Sequence, residues 1–161
     1  MNGRFRTGVA AMLFFVALSL GAAAQTATPA ACPLVVFVCE HGAAKSVIAA
    51  AYFNKIAAER GLPDRAIYRG ASPQPELSVS ALKGLRDDGM TLPVDKPSSI
   101  TPGDVTAASH IFAIGCTLPS HAASSGKSDS WDDVPDDRGY AAQRDAIKKH
   151  VERLIDQLQN R

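Results

Sequence analysis

The chain has 161 residues and nearly balanced charge, 17 Lys and Arg against 16 Asp and Glu, for a formal net of +1. That balance gives no basic footprint for nucleic acid, and the length predicts one domain large enough to bury a real core. Its three cysteines show no metal-ligand spacing, so neither a metal nor any other cofactor is expected.

Residues 1 to 24 carry Arg4 and Arg6, an apolar run from Val9 to Leu20, and Ala22-Ala23-Ala24 before Gln25. These are the three parts of a secretory signal, with cleavage predicted after Ala24 and a periplasmic or secreted destination. The apolar run falls short of the roughly 20 residues a spanning helix needs, so no membrane association is expected once the signal is removed. A retained hydrophobic anchor is the alternative. Cleavage removes two arginines and leaves 15 basic against 16 acidic residues, a net of −1. Residues 25 to 33, rich in Ala, Thr and Pro, read as a disordered leader carrying Cys32 as a spare exposed thiol. A domain is predicted over residues 34 to 161.

The β-branched run Leu34-Val-Val-Phe-Val-Cys39 lacks alternation, which predicts a strand buried on both faces within a parallel sheet. Cys39 closes it. Open α/β sheets hold their ligands at that edge, where the loops leaving the strands diverge. The next residues, Glu40, His41, Gly42, Ala43, Ala44, Lys45 and Ser46, predict a tight loop entering an alanine-rich helix. A helix beginning near Lys45 would aim its unpaired amides into the loop and form a nest for an oxyanion. The same amides and the Lys45 ammonium favour a thiolate at Cys39, and Ser46 is placed to hydrogen-bond the sulfur. Gly42 supplies the left-handed backbone that a tight cradle needs. Together these features suggest phosphoryl or arsenyl chemistry.

The helix is predicted from Ser46 to Arg60, stopped by Gly61-Leu62-Pro63. A short strand follows over Ala66 to Gly70, then a helix carrying Val79, Leu82 and Leu85 that ends at Asp88-Gly89. Ser72, between them, is read as turn chemistry. Thr101-Pro102-Gly103-Asp104 has the pattern of a capping box. A third strand is predicted over His110 to Cys116. Leu118 to Ser130 is serine- and alanine-rich and reads as a mobile loop, with a weak fourth strand near Ser128 to Trp131. Trp131-Asp132-Asp133-Val134-Pro135-Asp136-Asp137 is acidic, and a solvated loop is its plain reading. A terminal helix from Ala141 to Leu158 sets Ile147, Val151, Leu154, Ile155 and Leu158 on one face, with Lys148, Lys149 and Arg153 on the wet side. Strands alternating with helices give a doubly wound α/β fold.

The segment Cys39-Glu-His-Gly-Ala-Ala-Lys45-Ser46 resembles the signature loop of the low-molecular-weight protein tyrosine phosphatase and thioredoxin-coupled arsenate reductase superfamily, in which cysteine, five residues, arginine and serine or threonine follow one another. It departs from that pattern at Gly42, where the superfamily usually has asparagine, and at Lys45, where it has arginine. A guanidinium grips two oxygens at once and an ammonium does not, so the second change predicts weaker transition-state binding. The resemblance extends over the chain from Leu34 onward and implies a three-layer fold with a small parallel sheet of about four strands. It implies that residues 40 to 46 bind the oxyanion and that Cys39 is the nucleophile. Asp133 or Asp136 would be the general acid, and Cys116 the second cysteine of an arsenate reductase.

Three functions follow from these implications. The preferred one is hydrolysis of phosphate monoesters, phosphotyrosine or a phosphoprotein among them, through a cysteinyl-phosphate intermediate. The second is arsenate reduction through Cys39 and Cys116 with a thiol reductant, which an oxidising compartment supplies less readily than cytosol. The third is a non-catalytic oxyanion-binding domain.

Overall fold

The computed structural model describes residues 32 to 161. The predicted signal, its cleavage point and all but the last two residues of the predicted leader lie outside the described residues. Cys32 is exposed and unpaired, and no disulfide forms among the three cysteines.

Four parallel strands form the sheet: β1 (Leu34–Cys39), β2 (Arg65–Gly70), β3 (Ala108–Ala113) and β4 (Ser128–Ser130), in the order β2-β1-β3-β4. β1 is central, paired from Leu34 to Cys39 with β2 and from Leu34 to Val38 with β3. The chain passes from β1 to β2 on one side and then returns to β3 on the other. The crevice beyond the carboxyl ends of β1 and β3 is therefore the switch point where such sheets place their sites.

The two faces of the sheet are unequal. Val35, Phe37 and Cys39 point toward a large cluster under α1 (Lys45–Glu59), α2 (Val79–Asp87) and α5 (Gly139–Gln159). Val36 and Val38 point to a smaller cluster with Ile100, Ala108, Ile111 and Ala122, under the short α3 (Pro102–Ala107) and α4 (Ser120–Ala123). The two-residue period of β1 thus sets the Cys39 side chain on the face that carries α1. Phe37 anchors this face, its ring 5.9 Å from that of Phe53, 5.7 Å from Phe112 and 5.2 Å from Trp131. Burying one such ring contributes about 1.5–3 kcal/mol. The expected face of the terminal helix is buried at all five positions, Ile147, Val151, Leu154, Ile155 and Leu158.

The capping box at Thr101 is present. Its hydroxyl accepts from the Asp104 amide, and the Asp104 carboxylate accepts from the Thr101 amide and grips Arg69 through two nitrogens at 2.9 and 3.0 Å. Two expectations need correction. β3 ends at Ala113 and not at Cys116, because the backbone turns through Gly115 at φ +56°. Cys116 consequently follows the turn and does not close the strand. The stretch from Leu118 to Ser130 is not a loop throughout, since it contains α4 and the exposed edge strand β4.

Asp88 ties α1, α2 and α5 together. Its carboxylate accepts from the Tyr52 hydroxyl at 2.7 Å, the Tyr140 hydroxyl at 2.6 Å and Arg144 Nη1 at 3.3 Å. Tyr140 lies so close over Gly84 that a Cβ there would fall 2.3 Å from its ring. The Tyr140 hydroxyl first, then the Tyr52 hydroxyl and the Arg144 guanidinium, hold the Asp88 carboxyl below the usual carboxylate range against the opposing pull of burial. Burial first, then the bond to Asp88, pushes the Tyr52 hydroxyl up to about 12. A carboxyl depressed on folding stabilises the fold fully above its unfolded value of about 4 and loses that contribution as pH falls through the folded value. Denaturant titrations should show Asp88→Asn clearly less stable than the parent at pH 7, with the gap closing below about pH 4. A gap that stays constant to pH 2 would mean that the charge of Asp88 is not what stabilises this junction.

Candidate active site

The loop from Cys39 to Lys45 turns its carbonyls outward and its amides inward. The carbonyls of Cys39, Glu40, His41 and Ala43 accept from the amides of Ala71, Ser72, Gln74 and Ser78. The amides of residues 40 to 46 donate to no acceptor among the described residues. A ring of unpaired N–H groups running into a helix N-terminus is an anion nest. Gly42, at φ +62°, makes the turn, and a Cβ on it would lie 2.8 Å from the Gly70 amide nitrogen. Side chains are therefore excluded at Gly42 twice over, by backbone angle and by the close approach of β2.

Cys39 is buried at the base of this nest, its Sγ 3.2 Å from the Ser46 hydroxyl, as the sequence suggested. Lys45 is buried too, with 8% of its side chain exposed, and its ammonium donates at 2.5 Å to Asp136, whose side chain is 77% exposed. Room for the ammonium comes from Gly115, where a Cβ would sit 2.7 Å from Nζ. Asp136 comes from the loop after β4, and Gln143 on α5 donates to its backbone carbonyl at 3.1 Å. Cys39, Glu40, His41, Ala43, Ala44, Lys45 and Asp136 line one cleft of about 500 Å³, whereas Gly42 and Ser46 are buried behind it.

The structure separates the two candidate aspartates. Asp133 turns from the cleft to α5, where His150 Nε2 meets its Oδ1 at 2.6 Å while the imidazole stacks on Trp131 at 4.7 Å. This contact with His150 holds the Asp133 carboxyl below its ordinary range. Cys116 does not line the cleft, and its thiol donates to the carbonyl of Val38 at 3.5 Å. Burial pushes that thiol up to about 11. Ser72 lends its carbonyl to His41 Nδ1 at 3.4 Å and lies off the cleft, consistent with turn chemistry. Gln74, Ser78, Gly115 and Gln143 also line the cleft and were not legible as site residues. Only Gly115 left a local trace, a glycine between an apolar strand and a cysteine.

No protein-family model and no curated protein matches the sequence. Solved structures do resemble it. A thioredoxin-dependent arsenate reductase from Corynebacterium glutamicum superposes with a TM-score of 0.69 at 21% identity, over 82% of this chain and 64% of that one. The chain thus spans less than two thirds of that protein. The arginine phosphatase YwlE, solved with a phosphorylated active-site serine, superposes at 0.70 with 22% identity, over 78% of this chain and 95% of its own. A low-molecular-weight phosphotyrosine phosphatase from Vibrio cholerae gives 0.66 at 18% identity, over 79% and 97%. What these likenesses have in common is architecture: the chain has the four-stranded parallel α/β fold shared by low-molecular-weight phosphotyrosine phosphatases and thioredoxin-dependent arsenate reductases.

Proposed function

We propose that the protein hydrolyses phosphate monoesters through a cysteinyl-phosphate intermediate. The observation that carries this reading is the meeting of Cys39, a nest of unpaired amides, the buried Lys45 ammonium and the Asp136 carboxylate in one cleft. In the first step the Cys39 thiolate attacks phosphorus and the bond to the ester oxygen breaks, with Asp136, displaced from Lys45 by the phosphoryl group and in its protonated form, giving that oxygen its proton. The loop amides and Lys45 hold the equatorial oxygens. Ser46, at hydrogen-bond distance from the sulfur, favours its anion both before attack and when it leaves. In the second step water attacks phosphorus, Asp136 takes its proton, and the thiolate departs with inorganic phosphate as product. No metal or cofactor enters the scheme.

The test is a comparison of the purified protein with its Cys39→Ser variant on a panel of phosphate monoesters, on arsenate with added dithiol, and for binding of phosphate. Hydrolysis lost in the variant supports the proposal. Phosphate binding without turnover of any substrate would replace it with an oxyanion-binding domain. Arsenate reduction has one supporting observation, the approach of Cys116 to the carbonyl of Val38, one residue before Cys39. The raised Cys116 thiol works against it, because a resolving cysteine attacks as its thiolate.

The place of action proposed is the periplasm or the medium. Mass spectrometry of envelope material should find a chain beginning at Gln25, and a full-length cytosolic species would rule out export.

A further inference from the structure

We propose that Gln143 is the positioning residue for the general acid, holding the backbone of Asp136 against α5 so that its carboxyl reaches the ester oxygen. This rests on the phosphate-ester reading above, with Asp136 as its acid, and adds the group that fixes where that acid stands. The segment carrying Asp136 is tied into the core only upstream. Trp131 is buried against Phe37 and Phe112, and Val134 is buried in the same cluster. Beyond Val134 the chain leaves the core: Asp136, Asp137 and Arg138 are exposed, and α5 begins at Gly139. Across Pro135, Asp136 and Asp137 the backbone makes a single hydrogen bond among the described residues, the one that the Asp136 carbonyl accepts from Gln143 Nε2 at 3.1 Å.

Gln143 serves as a fixed point because of what lies behind it. It stands half-buried on α5, one turn before Ile147, and Ile147 and Val151 pack in the cluster that also holds Val47 and Ile48 of α1. The nest is the loop that runs into the amino end of that same α1. α5 is thereby set relative to the nest, and the Gln143 amide carries that setting to Asp136. The hold matters because the resting Asp136 carboxylate is on Lys45 and has to exchange the ammonium for the ester oxygen. With its carbonyl held, Asp136 makes this exchange by turning its side chain, which is 77% exposed and has room to turn. Without the hold the exposed segment moves as a whole, and a misplacement of about 1 Å is enough to cost about 10²-fold in rate.

The experiment compares the full chain with Gln143→Leu and Gln143→Met, neither of which donates, with Asp136→Asn, and with Asp136→Asn and Gln143→Leu combined, on propyl phosphate and nitrophenyl phosphate. Each Gln143 variant should lower kcat on propyl phosphate about tenfold, a part of the roughly 10²–10⁴ that a positioned acid supplies. On nitrophenyl phosphate, whose leaving group needs no proton, the loss should shrink to about twofold or less. In the Asp136→Asn background Gln143→Leu should add less than about twofold, because a positioning residue acts only through the group it positions. Equal losses on the two esters, a full tenfold loss added to that of Asp136→Asn, or no loss on propyl phosphate would each overturn the proposal. An active parent with a silent Asp136→Asn would overturn it together with the acid assignment, leaving the phosphate-ester reading intact. A parent that hydrolyses neither ester would remove that reading itself, and this proposal with it.

Discussion

Asp136→Asn should lower kcat on alkyl phosphates by about 10²–10⁴, the usual contribution of a positioned general acid. The loss should shrink for esters such as nitrophenyl phosphate, whose leaving group departs without a proton. Inorganic phosphate should inhibit the variant at least as well as the parent, because the Lys45 ammonium no longer holds a carboxylate at 2.5 Å. Asp133→Asn is the counterpart. Asp133 faces His150 from an exposed position, so the change should leave kcat within about twofold while changing stability by less than about 1 kcal/mol. Steady-state kinetics on the two variants decides between the acids, and a silent Asp136→Asn beside an inactive Asp133→Asn would reverse the assignment.

Lys45→Ala should cost about 10²–10³ in kcat, as does loss of one preorganised partner of a developing oxyanion. The ammonium is nearly buried, so the charge acts where water screens it little. Lys45→Arg should raise turnover above the parent by restoring a two-pronged grip on the phosphoryl oxygens. Gly115 makes that exchange feasible, since it places no side chain beside the cation. Single-turnover measurements separate the chemical step from product release. An unchanged rate in Lys45→Ala would assign the whole of the oxyanion binding to the loop amides.

Much of the architecture was legible because it is written in neighbouring residues. The unbroken β-branched run set β1 from Leu34 to Cys39, the spacing of Ile147, Val151, Leu154, Ile155 and Leu158 set the buried face of α5, and Thr101 with Asp104 set a capping box. Propensity, periodicity and capping act within a few residues, so a sequence reads them directly. The end of β3 was misplaced for the complementary reason. Ile114 is as apolar as the strand before it, and only the turn at Gly115 takes the chain out of the sheet.

The sequence by itself determined that Cys39, the loop after it and the Lys45 cation come together, since all lie between Cys39 and Ser46 and share one turn. Tertiary structure alone separated the two candidate aspartates. Asp133 and Asp136 stand in one acidic segment with nothing local to tell them apart. The choice depends on partners that the fold brings up: His150, 17 residues later on α5, takes Asp133, and Lys45, 91 residues earlier, takes Asp136. The rim was hidden in the same way, because Gln74, in the loop after β2, and Gln143, on α5, come to line the same cleft only once the chain has folded. Contacts between distant segments follow from the packing of the sheet and its helices, and no periodicity within either segment records them.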